Sequence, residues 1–183
     1  MEKNRAAEII AFWFSERVKK LWFNSTPEFD RELYELYYAV YLDAVENKLD
    51  HWRESALGSL ALVIILDQFP LNMFRNNPRA FEAEKKAIEV ADYAVNNQQD
   101  KELLKEQKAF LYMPFMHSEN IADQDRAIKL FSDAQLEDNL KFAKHHHDIV
   151  NRFGRFPHRN TILQRASTPA EIEYLQSKDA FHG

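Results

Sequence analysis

The chain has 183 residues, a net charge of −5, 45% hydrophobic residues and no cysteine. That composition fits a globular chain able to bury a sizeable core and excludes disorder. It also excludes disulfides, a cysteine nucleophile and thiolate-ligated metal centres. The three glycines, Gly58, Gly154 and Gly183, are too few and too far apart for a P-loop, a G-x-G-x-x-G turn or a G-x-S-x-G elbow. The longest uncharged apolar-rich run, Ser55 to Leu66, is twelve residues. A spanning helix needs about 20. Neither a membrane segment nor a secretory signal is expected, and a cytoplasmic location is the default.

The apolar residues recur at helical spacing along the whole chain. Ala6, Ile9, Ile10, Trp13 and Phe14 mark a first helix. Thr26 and Pro27 read as N-cap and first position of a second, which carries Phe29, Leu33, Leu36, Tyr37, Val40 and Tyr41 and ends near Asn47. A third, from about Trp52 to Leu66, is apolar on nearly every side and should be the central buried helix, ended by Pro70. Asn77-Pro78 restarts the pattern. A fourth stripe runs through Phe81, Ala87, Ile88, Ala91 and Ala94, and a fifth from Leu103 to Leu111, closed by Pro114. Ser118 is placed to cap a sixth helix. A seventh runs from about Leu136 to Phe153, with Gly154 just beyond its end. Thr168-Pro169-Ala170-Glu171 is a capping box that starts a last short helix. The expectation is an all-α single domain over 1–183, an array of about seven to nine helices.

Three segments carry the chemistry. The first, 144–165, holds Lys144, Arg152, Arg155, Arg159 and Arg165 against one acid, Asp148. Such a cluster in an acidic chain suits a small phosphate- or carboxylate-bearing ligand rather than nucleic acid. The bland alternative pairs the arginines with acids of neighbouring helices. The second, 112–120, brings His117 and Glu119 to a helix start. They read either as an acid–base pair or as a half-buried histidine beside a first-turn acid. The third, 67–72, follows a wholly apolar helix with Asp67 and Gln68. A carboxylate there needs donors or a cation, and an arginine of 152–165 would serve. Gln68-Phe69-Pro70-Leu71-Asn72 is also echoed by Arg155-Phe156-Pro157-His158-Arg159-Asn160, each followed by an arginine, Arg75 and Arg165. The candidate ligand-binding set is Asp67, Gln68, His117, Glu119, His146, Arg152, Arg155, His158, Arg159 and Asn160. His145, His146 and His147 are consecutive and point about 100° apart on a helix, so they do not chelate from one face. No E-x-x-H or H-E-x-x-H occurs. No metal or cofactor is expected.

The strings DQFPLNMFR (67–75), FLYMPFMHSEN (110–120) and RFGRFPHRNTILQRAST (152–168) resemble the bacterial family known as domain of unknown function 924. IIAFWF (9–14), WF (22–23) and FD (29–30) match its opening. Two positions depart from the family pattern: Leu71 stands where arginine is usual, and Gln164 where glycine is usual. The first argues against a basic ligand contact at 71. The second implies that close backbone approach near 164 is not essential. The resemblance implies a tetratricopeptide-like right-handed superhelix and no established activity. Two functions fit. One is a module that binds a protein or peptide partner in a groove. The other is an enzyme or sensor for a small anionic metabolite, with His117 or His158 moving a proton.

Overall fold

The computed structural model describes residues 2–183, with side chains from Arg5 onward. Among the described residues it is all helical, without strands. The α-helices are α1 (Glu2–Trp13), α2 (Glu16–Lys19), α3 (Pro27–Val45), α4 (Ala56–Val63), α5 (Phe69–Met73), α6 (Glu84–Asn96), α7 (Lys105–His117), α8 (Ile121–Asp133), α9 (Glu137–Phe153) and α10 (Pro169–Leu175). Short 3₁₀ turns lie at Asp50–Glu54, Pro78–Phe81, Gln99–Glu102 and Pro157–Arg159.

Local chemistry sets several boundaries as expected. Thr26 Oγ1 accepts the Phe29 amide at 3.2 Å, and Pro27 opens α3. Gly154 takes a left-handed φ of 69° after α9. Thr168 and Glu171 form their reciprocal box. Ser118 does not cap α8. Asn120 does, through Oδ1 to the Ala122 amide at 2.8 Å, while Ser118 Oγ donates to Asp123.

Neither Pro70 nor Pro114 ends its helix. Pro114 sits in the last turn of α7, where only one carbonyl loses its donor. At Pro70 the chain widens first. Ile64–Gln68 is a π turn, and the Phe69 amide reaches back five residues to the Ile64 carbonyl. That extra residue makes room for the proline ring, so α4, the π turn and α5 form one rod over Ala56–Met73. The rod is long and apolar enough to cross a membrane, more than the twelve-residue run implied, but 83% of it is buried against the rest of the protein. It is the core helix. Residues 58–70 are all buried, and α1, α6 and α7 pack around α4.

The main core runs from α1 to α9. A smaller cluster of Ile149, Val150, Phe156 and Tyr174 joins the end of α9 to α10, and Phe181 from the carboxyl terminus packs on it. The polar segments lie between these two cores.

Candidate functional site

The π turn places the first group. One extra residue rotates the succeeding side chains by roughly 100° relative to an unbroken α-helix. Asp67 and Gln68 emerge side by side, and Gln68 Nε2 donates to Asp67 Oδ2 at 2.5 Å. His117, at the end of α7, donates Nδ1–H to both Asp67 oxygens, at 2.9 and 3.1 Å. The Asp67 side chain is 3% exposed and that of His117 19%. Thus the donors that satisfy Asp67 are an imidazole and an amide, not an arginine.

Arg159 is the next link. Its guanidinium lies between the rings of Phe81 and Phe156, at 4.5 and 4.7 Å. NH1 donates to Glu84 Oε2 at 2.8 Å and NH2 to the His117 carbonyl at 2.7 Å. Its Nε is buried with no partner. Burial pushes the Glu84 carboxyl above its ordinary pKa despite the opposing pull of Arg159.

Glu119 does not pair with His117. It precedes α8 and accepts Arg165 NH1 at 2.6 Å, Arg165 NH2 at 2.9 Å and the Phe156 amide at 2.8 Å. Burial would raise its carboxyl, but the Arg165 and Phe156 hydrogen bonds outweigh that and hold it below the usual range. Arg165 also reaches Asn160 Oδ1 from Nε, at 3.0 Å. Asn160 Nδ2 in turn donates to Ser167 Oγ and to Glu171. Glu171, the capping-box acid, takes Arg155 Nε at 2.7 Å and NH2 at 2.9 Å. That pairing, joined by the Thr168 amide, brings its pKa to about 2.

The structure therefore makes two hydrogen-bonded groups that meet at Phe156: Asp67, Gln68, His117 and Arg159 with Glu84, and Glu119, Asn160 and Arg155 with Arg165 and Glu171. His146 and His158 pack their rings against Phe156, at 5.3 and 5.6 Å between centroids, and bond to none of these groups. His146 donates Nδ1–H to the Phe142 carbonyl at 2.7 Å, and its ring meets Phe156 and Phe181. Burial lowers its pKa to about 4 and that of His158 to about 3. Arg152 stands apart, exposed and stacked on Phe153, in an open cleft of about 510 Å³ with Arg155, Thr168, Ala170 and Glu171. Among the described residues no group of three or more His, Asp or Glu side chains is placed to hold a metal ion.

Two members escaped the sequence. Glu84 lies in a charged run, Glu84-Lys85-Lys86, with nothing local to single it out. Glu171 was visible as a cap but not as the partner of Arg155. The Phe-Pro echo is a shared packing device: Phe69 and Phe156 are both fully buried, and in each copy the asparagine after the proline accepts the later arginine, Arg75 onto Asn72 and Arg165 onto Asn160.

The model of a family described as bacterial protein of unknown function (DUF924) matches residues 9–179. The structure is similar to that of ATU0120, a protein of unknown function from Agrobacterium tumefaciens. The TM-score is 0.90 and the identity 38%, over 96% of this chain and 99% of that one. No curated protein matches this chain.

Proposed function

The chain belongs to the bacterial DUF924 family, and we propose that it is a partner-binding protein that holds an amphipathic helix of another protein or peptide against α3. One observation carries this reading: an apolar stripe left partly open along α3. Tyr34, Tyr38, Leu42 and Val45 recur at helical spacing beside the face that α3 buries, of which Tyr41 is part. Tyr34 is 41% exposed, Leu42 36% and Val45 39%. The Tyr34 and Tyr38 rings stack at 4.6 Å, and the Arg79 guanidinium covers Tyr38 and Phe74 alongside. The stripe ends in a cleft of about 300 Å³ between Val45, Asn47 and the start of α6, where Glu82, Lys85, Lys86 and Glu89 supply both signs of charge. From Tyr34 to Val45, twelve residues, α3 advances about 16 Å, three turns of a docked helix.

The polar network favours the same reading over a small anion. Arg155, Arg159 and Arg165 are each bound to a carboxylate, so their forks are occupied. A tetratricopeptide-like superhelix and a cytoplasmic location belong to this proposal.

The test is selection from a displayed library of amphipathic peptides, followed by calorimetry. Selected peptides are expected to bind the wild type and to lose at least tenfold in affinity on Leu42→Arg. Equal binding to both overturns the docking surface. A rise in Tm of several degrees with phosphorylated metabolites or carboxylates, lost in Arg152→Ala, overturns the reading in favour of a small-anion protein.

A further inference from the structure

A second arrangement stands independently of the α3 face. The segment 177–183, which follows α10, packs over α9 and the turn at Pro157–Arg159. Phe181, half-buried, is its anchor. The ring centroid lies 4.5 Å from that of His146, 4.9 Å from that of His158 and 6.4 Å from that of His145. Gly183 rests on His158 too: a Cβ there would come within 3.3 Å of Cδ2. Elsewhere the segment is held lightly. Among the described residues, its hydrogen bonds beyond the turn that leaves α10 end on one phenol. Tyr174 Oη accepts the Phe181 amide at 2.9 Å and donates to the Asp179 carbonyl at 3.4 Å. Ser177, Lys178, Asp179, His182 and Gly183 are exposed. A stretch with one anchoring ring and few bonds opens at low cost.

We propose that the segment 177–183 is an acid-released latch: Phe181 covers His146 and His158 while both are neutral, and lifts away when either takes up a proton. The closed form makes that proton costly. An imidazolium has two N–H groups to satisfy, and under Phe181 the pair is surrounded by aromatic rings instead of water. The charged groups that face the pair are mostly of one sign. His146 faces His117, His145 and Arg159, while His158 faces Arg159, His146 and His182. The one acid facing them, Glu119, is already gripped by Arg165. Lys178 and Asp179, the remaining charges of the segment, point their side chains to solvent. Burial, with these neighbours, holds His146 to about 4 and His158 to about 3. Opening readmits water and returns an imidazole toward about 6.5. The closed form is therefore complete above pH 6.5 and loses ground as pH falls. At pH 5.5 the opening constant is about tenfold larger for each imidazole that regains its ordinary value. Phe142, 58% exposed, lies one turn before His146 on α9, so opening extends an apolar surface that neutral pH keeps partly covered.

The test is NMR on the full chain. Protection of the Phe181 amide against hydrogen exchange, taken relative to an unstructured peptide at the same pH, is expected to fall at least about tenfold from pH 7.5 to 5.5. Amides of α4 are expected to keep their protection, which separates a lifted latch from an unfolded protein. Phe181→Ala removes the cover from the other side. In that variant the ring protons of His146 and His158 are expected to titrate with midpoints at least about one pH unit higher than in the wild type. In the double variant His146→Phe with His158→Phe, which keeps the rings and removes the titration, Phe181 is expected to be equally protected at both pH values. A Phe181 amide unprotected at pH 7.5, or equally protected at both pH values in the wild type, overturns the proposal. So do unmoved midpoints in Phe181→Ala, and so does a loss of α4 protection that parallels that of Phe181. Should the double variant fail to fold, the wild type and Phe181→Ala decide the matter.

Discussion

Glu119 and Arg165, separated by 46 residues in sequence, meet in a two-pronged pair of 2.6 and 2.9 Å that closes around the backbone of Phe156. The same carboxylate accepts the Phe156 amide and the same guanidinium donates to the Phe156 carbonyl. One ion pair thus satisfies both polar groups of a residue whose ring is fully buried. Removing one partner strands the other. Glu119→Ala is expected to cost about 2–3 kcal/mol in urea unfolding, while Glu119→Leu combined with Arg165→Met recovers part of the loss. Arg155→Ala, which leaves the buried Glu171 without its cation, is expected to lower Tm as well.

Acid should unfold the protein in two overlapping windows. A free histidine titrates near 6.5, whereas burial lowers His146 to about 4 and His158 to about 3. The unfolded chain therefore binds these protons first, and stability present above pH 6.5 is lost as pH falls toward 3. Glu171, lowered from 4.5 to about 2 chiefly by Arg155, adds stability that is full above pH 4.5 and is lost below it. Tm measured from pH 7.5 to 3.5 is expected to fall throughout, with a shallower slope in His146→Phe.

Gln164 has a φ of 54°, in the left-handed region. The Arg165 amide bonds back to the Asn160 carbonyl and the Gln164 amide to Thr161, the pattern that ends a helical turn with a left-handed residue. The glycine usual at this position in the family thus answers a backbone angle, not a close approach. Gln164→Gly is expected to raise stability by about 0.5–1 kcal/mol in urea unfolding, the left-handed penalty less the added freedom of the unfolded chain.

Gly58 is the opposite case. A Cβ there would run into the backbone carbonyl of Trp52, which a side-chain rotation cannot relieve. Gly58→Ala is expected to cost about 1–3 kcal/mol, read as a lower urea midpoint with an unchanged helical CD spectrum.

The features legible in the sequence are those whose cause lies within a few residues. Thr26-Pro27, Gly154 and the Thr168–Glu171 box carry their own hydrogen-bond logic, and all three stand where they were expected. Apolar periodicity likewise exposed the central helix. Pro70 misled because a proline ends a helix only if the turn before it stays narrow, and the widening at 64–68 leaves no compositional trace. The network was half legible. Its cations stood out as a basic segment, but their partners depend on packing between elements far apart in sequence. Arg159 reaches Glu84 across 75 residues, and no local pattern chooses Glu84 over its charged neighbours.

That reach imposes an order of events on a ribosome. Asp67, Glu84 and Glu119 leave the exit tunnel well before the segment that holds Arg159 and Arg165. Until it arrives, Glu84 and Glu119 must stay hydrated, and the His117 carbonyl lacks its Arg159 donor. A nascent chain halted before residue 159 has most of its apolar core in hand and still lacks the cations that let this region close. Closure of this region waits on the segment 159–165, so a chain that stops short of it is left with Glu84 and Glu119 unneutralised.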